Sequence, residues 1–137
     1  MDTKIGNEDI SILQLSDSFF PTGLYATSSG LEAFFQEKKL TSKDISQFIA
    51  IYLRQIMGPS DCIALGNAYE ACKKNEIDSL LHTDESLYYM KLLEETRIAS
   101  VRSGNQLLKS VISFAKDKKL LKEYQKAITT GKASGVY

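Results

Sequence analysis

The side chains best suited to chemistry are scarce in this sequence, which contains one His and two Cys. A nucleophilic triad needs an imidazole beside its nucleophile, and a metal carrier usually needs several imidazoles or thiolates at coordinating spacing. His82 stands in a polar stretch beside Thr83 and Asp84 and is predicted to be a solvated loop residue. Cys62 and Cys72 fit no C-x-x-C pattern and are predicted to be reduced side chains of the core. We therefore expect no catalytic residue, no metal ligands and no bound cofactor.

A glycine followed by a lysine, at Gly131-Lys132, invites comparison with the phosphate-binding loop G-x-x-x-x-G-K-[ST]. The match fails at two positions. Lys126 stands where the first glycine belongs, and Ala133 replaces the hydroxyl residue that would hold magnesium. Any nucleotide chemistry is therefore expected to belong to a partner.

A small hydrolase that uses Ser28 or Ser29 near a tight turn is the alternative from another functional class. Such a serine needs a base beside it, and neither a second His nor another suitably placed base is evident. We therefore predict that the protein is not an enzyme.

The composition is that of one globular domain, with 137 residues of which 43% are hydrophobic and 25% charged. Seventeen basic residues balance seventeen acidic ones, so nucleic acid is not expected as a partner. The polar, acidic start, Met1–Asp9, differs from a signal peptide, and we expect a cytoplasmic protein. The longest apolar run, Phe48–Leu53, is far shorter than the ~20 residues that span a bilayer, so no membrane insertion is expected.

Apolar residues recur at helical spacing along most of the chain, and no segment alternates with a period of two. We predict an all-α fold, a compact bundle of about six to seven helices that forms a single domain over residues 1–137. A short first helix is expected near Ile10, and a second one from Ser28 or Ser29 to Lys38 or Lys39.

The third predicted helix has the clearest signals, because the residues from Thr41 to Asp44 resemble a capping box that opens an amphipathic stretch. Gly58-Pro59 is expected to end it and to open another helix. The predicted inward face of that next helix consists of Cys62, Leu65, Tyr69 and Cys72.

Three further helices are predicted downstream. A helix of at most two turns at Ile77 is followed by a restart at Thr83-Asp84-Glu85 and a long helix to the Asp117 region. The last helix contains Leu120 and Ile128 and is expected to stop at Thr129-Thr130-Gly131.

Two segments have compositions that core packing alone explains poorly. The first segment, Leu13–Glu32, brings turn residues and large aromatics together at Phe19–Tyr25, which is what a fixed, non-helical binding loop requires. A buried helix-to-helix connection plugged by the aromatics is the alternative. In the second segment, Thr96, Ser100 and Gly104 recur every fourth residue and predict a seam of small side chains that another helix can approach. Its charges could also form a solvated cluster, with Glu94 and Arg97 paired at i, i+3.

These two segments resemble the UreF family of urease accessory proteins. The resemblance lies in S-D-x-x-F-P-x-G-x-Y-x-x-S-x-G-L-E, from Ser16 to Glu32, and T-R-x-A-S-x-R-x-G-x-x-L-L, from Thr96 to Leu108. Two positions depart from the family pattern: Leu24 replaces a residue that is often small, and Thr27 replaces an aromatic residue or His. The motif positions expected to contact partners are Ser16, Asp17, Pro21, Gly23, Tyr25, Ser28, Gly30, Glu32, Arg97, Ser100, Arg102 and Gly104.

The resemblance implies a cytoplasmic, non-catalytic scaffold that helps to insert nickel into apo-urease. It implies a homodimer, when full length, that bridges a second accessory protein of the UreD or UreH type and the UreG GTPase. It also implies more helices after Tyr137, so we expect the domain to be incomplete at its C-terminus. A generic helical adaptor unrelated to urease fits the helical periodicity equally well and stays open at this point.

Overall fold

Four separate helical segments make up the described part of the chain in the computed structural model. This part comprises residues 41–116 and 118–136, with the isolated positions 10, 13 and 36. The first segment runs without interruption through α1 (Ser42–Ile51), a π-helix, π1 (Tyr52–Cys62), and α2 (Ile63–Lys74). The other segments are α3 (Ile77–Met90), α4 (Glu94–Phe114) and α5 (Lys119–Thr129).

The all-α class is confirmed for the described residues, none of which lies in a strand. The predicted number of six to seven helices is not reached there, because helices expected as separate elements run together and other boundaries lie elsewhere. Of the two helices predicted before Thr41, only positions 10, 13 and 36 are described, and these are helical; the Phe19–Tyr25 loop lies outside the described residues.

The start of α1 follows the prediction. The Thr41 hydroxyl accepts a hydrogen bond from the Asp44 amide at 3.3 Å, and the Asp44 carboxylate accepts one from the Thr41 amide at 2.8 Å. This reciprocal capping box satisfies amides that the first helical turn leaves unpaired. It confirms that Asp serves here in place of the usual Glu.

The predicted stop at Gly58-Pro59 is wrong, because the chain stays helical through both residues. Proline removes one amide donor, and the wider π-helical turn changes the hydrogen-bond pattern so that the helix continues. A side chain at position 58 would place its Cβ only 2.9 Å from the Leu53 carbonyl oxygen, so glycine is required there. The Ser60 hydroxyl adds a hydrogen bond of 2.6 Å to the Ile56 carbonyl.

The predicted inward face of α2 is also wrong. Cys62 and Cys72 are free and exposed rather than buried in the core, and Leu65 and Tyr69 are exposed as well. The side chains turned inward are instead alanines on an adjoining part of the helix surface. Ala71 is buried and Ala64 and Ala68 are half-buried, and their small size lets α2 pack directly against α3.

No break occurs at Thr83-Asp84-Glu85, where a helix restart was predicted, because α3 is continuous from Ile77 to Met90. Thr83 does not cap a helix there, and its hydroxyl donates instead to the Ser79 carbonyl at 2.8 Å. His82 is therefore an exposed helical residue and not a loop residue. The predicted long helix begins only at Glu94, after a corner at residues 91–93.

The end of α5 agrees with the prediction. Gly131, at φ 74°, follows the helix in the left-handed region, where glycine has no Cβ to clash. The Gly131 amide donates to the Ile128 carbonyl at 3.0 Å, and the Lys132 amide donates to the Ala127 carbonyl at 2.8 Å. These two bonds form a Schellman motif and turn the chain back across α3 and α4.

Candidate functional site

A buried carboxylate, that of Asp84 on α3, is the most densely bonded group in the described part of the chain. Its residue is only 5% exposed. Oδ1 accepts hydrogen bonds from the Tyr124 hydroxyl at 2.5 Å, the Gly135 amide at 2.8 Å and the Val136 amide at 3.0 Å. Oδ2 accepts one from the Ser134 amide at 2.6 Å. A buried carboxylate is tolerated here because both of its oxygens are hydrogen-bonded.

Three successive backbone amides, from Ser134 to Val136, point at this carboxylate. Gly135 makes this possible because its φ of 74° turns the backbone so that consecutive N–H groups line one concave surface. Such a concavity binds anions, and here the anion is a side chain of the same molecule. The pKa of Tyr124 is raised far above its usual range, so its hydroxyl stays protonated. Burial is the largest cause, and the hydrogen bond to Asp84 and the charge of that carboxylate add to it.

Asn105 on α4 completes the arrangement. Its side-chain amide nitrogen donates to the Val101 carbonyl at 2.8 Å and to the Ser134 carbonyl at 3.2 Å. Three helices and the terminal segment are thus tied together, and we refer to Asp84, Asn105, Tyr124 and residues 134–136 as the Asp84 clasp.

This clasp was not predicted from the sequence. Asp84 was expected in the first turn of a helix, and Gly131-Lys132 was compared with a phosphate loop, whereas those two residues belong to the Schellman motif. The hydrogen-bonding partners of Asp84 lie 40 to 52 residues away in the chain, beyond the reach of any local pattern. A second glycine four residues after Gly131, at Gly135, was the one local signal of an unusual backbone.

Arg97, predicted to contact a partner, first of all stabilises the corner between α3 and α4. Its Nη1 donates to the Lys91 carbonyl at 3.2 Å, and its guanidinium lies 5.2 Å from the centre of the Tyr88 ring. The predicted Glu94–Arg97 ion pair is not among the ion pairs of the described residues. The guanidinium is instead directed toward the corner, where it caps a carbonyl that the end of α3 leaves without a helical partner.

The same corner is held to π1 by an ion pair, with Lys91 Nζ 2.8 Å from Asp61 Oδ1. Burial alone would raise the pKa of Asp61, but the hydrogen bonds from Lys91 and Ser60 and the charge of Lys91 outweigh it and hold that pKa below its usual value. Asp61 is therefore ionised at neutral pH, and the corner is fixed from two sides.

The small-residue seam predicted on α4 is present in part. Ser100 is buried and Gly104 is half-buried, whereas Thr96 is exposed. Ser103, which the sequence analysis did not select, is the most buried residue of this stretch at 3% exposure. Its hydroxyl donates to the Ala99 carbonyl at 2.9 Å, so this polar side chain is satisfied within its own helix.

Arg97 and Arg102 border the same groove, although their spacing of five residues separates them by about 140° around α4. Both border an open groove of about 400 Å³, and Arg102 is exposed. The residues lining this α4 groove are Tyr88, Arg97, Ile98, Val101, Arg102 and Ser134.

The other eight predicted contact residues lie outside the described residues, and their roles stay predictions. They are Ser16, Asp17, Pro21, Gly23, Tyr25, Ser28, Gly30 and Glu32. Ser29, the other serine of the hydrolase alternative, lies there too.

Two features are absent from the described residues. No three His, Cys, Asp or Glu side chains within them are grouped so that they could hold a metal ion. None of the helices they form is both long enough and apolar enough to cross a membrane.

We expect Arg97→Ala to lower the free energy of unfolding by about 1 to 3 kcal/mol, because it removes a charged hydrogen bond and the Tyr88 contact from a half-buried position. Arg102→Ala removes the same side chain from an exposed position and should change stability by no more than about 0.5 kcal/mol. Urea unfolding of both variants measures the difference. Equal effects would contradict the role of Arg97 in the corner.

The fold and the clasp define an all-helical protein domain in which a buried carboxylate, that of Asp84, holds residues 134–136 of the same chain. The chain belongs to the UreF family, whose model matches residues 40–137. The family resemblance found in the sequence is thereby confirmed, and the alternative of an adaptor unrelated to that family loses its basis.

Three relatives show how close the similarity is, and each bears the name urease accessory protein UreF. The protein of Trichodesmium erythraeum (strain IMS101) is 36% identical over 115 residues, which cover 83% of this chain and 50% of the relative. That of Bacillus sp. (strain TB-90) is 35% identical over 130 residues, 94% of this chain and 57% of the relative. That of Actinobacillus pleuropneumoniae serotype 5b (strain L20) is 31% identical over 128 residues, 93% of this chain and 56% of the relative.

The chain thus spans about half the length of the curated relatives that it matches. No solved structure is significantly similar to it.

Proposed function

We propose that this protein is a urease accessory protein, a scaffold without catalysis of its own that takes part in nickel insertion into apo-urease. Membership of the UreF family carries the proposal, and the names of the relatives support it. The buried Asp84 carboxylate has a structural role, because both of its oxygens accept hydrogen bonds from the same chain.

The proposed partners are a second accessory protein of the UreD or UreH type, the UreG GTPase and apo-urease. In this proposal the protein is cytoplasmic, dimerises in its full-length form and bridges the first two partners. In this proposal nickel is cargo of the assembled complex. The α4 groove supports a role in protein contacts, since it presents an exposed arginine beside aliphatic and aromatic side chains.

We expect the full-length protein to co-elute with the cognate GTPase and the second accessory protein in size-exclusion chromatography. Cells that lack the gene should contain urease protein with little activity, and supplying the gene in trans should restore that activity. Urease that matures normally without the gene, or a protein that binds neither partner, would refute the proposed function.

A further inference from the structure

We propose that the α4 groove and the exposed corner beside it bind a segment of a partner protein that presents a carboxylate next to apolar side chains. The inference rests on the proposed function, because the partner is taken to be a protein of the urease accessory complex. It goes further by assigning the chemistry of the contact and the residues that make it.

The positive charge of the groove favours a carboxylate as its ligand. The side chains that line the groove carry two guanidinium groups and, among the described residues, no carboxylate. Arg97 is held by the Lys91 carbonyl and the Tyr88 ring, whereas Arg102 is exposed and makes no ion pair within the described part of the chain. Its planar fork of donors suits a carboxylate, which can accept two parallel hydrogen bonds.

The apolar surroundings of Arg102 favour a protein ligand over a free anion. Ile98, on the same groove, is 51% exposed. At the neighbouring corner Leu92 is 85% exposed, Leu93 68% and Tyr89 65%. Exposed apolar side chains grouped beside an arginine are typical of protein interfaces, where the apolar residues supply area and the charge sets orientation.

The corner is also rigid before any partner arrives. The Lys91–Asp61 ion pair fixes it to π1, and the Arg97 hydrogen bond fixes it to α4. The Tyr88 and Tyr89 rings, with centroids 5.5 Å apart in an edge-to-face arrangement, connect the groove to the corner. A surface that is ordered in advance loses less conformational entropy on binding, so this small patch can contribute more affinity than its area suggests.

The test uses the full-length protein and measures the Kd for the cognate GTPase and for the second accessory protein separately. Arg102→Glu should weaken binding to one of them by at least about tenfold, and Arg102→Lys by clearly less, because it keeps the charge. The matched control is Arg54→Glu, which reverses an exposed arginine charge on π1, an element that contributes no residue to the groove, and should leave both Kd values unchanged.

The apolar part of the proposed contact is tested by a second pair of substitutions, one at the corner and one control. Leu92→Ser should weaken the same interaction as Arg102→Glu, whereas Leu65→Ser, at a position on α2 that is 72% exposed, should not. Binding that is unchanged by Arg102→Glu while the wild type binds normally overturns this inference alone. A wild type that binds neither protein overturns the proposed function as well. A melting temperature lowered by Arg102→Glu would show that the chain itself occupies the groove, and this too overturns the inference.

Discussion

Replacing Asp84 with Asn is expected to lower the free energy of unfolding by about 2 to 4 kcal/mol, the first of the two largest effects we predict. The change keeps the shape of the side chain but turns one acceptor oxygen into an NH2 donor. Whichever way the amide is turned, that donor faces a backbone amide, either of Ser134 or of Gly135 and Val136. At least one buried N–H therefore loses its acceptor. Urea unfolding followed by circular dichroism measures the loss.

The matched control for this prediction is Asp78→Asn, which makes the same chemical change at an exposed position in the first turn of α3. It should cost no more than about 1 kcal/mol, since it removes only a favourable interaction with the helix dipole. Tyr124→Phe should fall between the two, because it removes one of four donors and leaves the three amides bound. A loss below about 0.5 kcal/mol for Asp84→Asn would mean that the clasp does not stabilise the fold.

Local signals in the sequence were sufficient to predict where α1 begins and where α5 ends. Thr41 and Asp44 form their capping box within one turn, and Gly131 ends α5 with bonds to residues of the same helix. Every partner in these two motifs lies within a few positions in the chain. Their geometry is therefore written in short sequence windows, and the predictions based on them were confirmed.

The boundary between α3 and α4 could not be predicted from short sequence windows. Thr83-Asp84-Glu85 has the composition of a helix start, yet α3 continues through these residues. The Asp84 carboxylate is bound instead by Tyr124 and residues 134–136. The actual corner contains no glycine or proline and is fixed by the side chains of Lys91 and Arg97 acting across elements. Tertiary hydrogen bonds thus decide both where the helix continues and where it ends.

The prediction of the buried face of α2 was wrong for a different reason. The larger apolar residues Leu65 and Tyr69 were expected inside, but close packing against α3 favours the smaller Ala68 and Ala71. Hydrophobicity alone ranks the larger side chains first, whereas the distance between two helix axes depends on which side chains stand between them. The sequence cannot show that distance.

The clasp and the proposed contact surface meet at Ser134. Its amide donates to Asp84, its carbonyl accepts from Asn105, and the residue also lines the α4 groove beside the two arginines. One wall of the groove is therefore positioned by the buried carboxylate. A change that opens the clasp should disturb the groove without touching Arg102.

The second large effect is expected from Gly135→Ala, which should lower the free energy of unfolding by about 2 to 4 kcal/mol for two reasons. A φ of 74° is unfavourable for any residue with a Cβ by about 1 to 2 kcal/mol. The added Cβ would also lie 2.8 Å from both Asn105 Nδ2 and Ile128 Cδ1, so the amide that holds Ser134 would have to move. Thermal and urea unfolding both measure the loss.

Gly131→Ala separates the two contributions, because Gly131 has the same φ of 74° but nothing within 4 Å of an added Cβ. It should show the backbone cost alone, about 1 to 2 kcal/mol. The excess loss in Gly135→Ala then measures the close approach of the terminal segment to α4 and α5. If the two alanine variants are equally stable, the segment can withdraw without cost, and the tight packing of the clasp around Gly135 does not contribute to the fold.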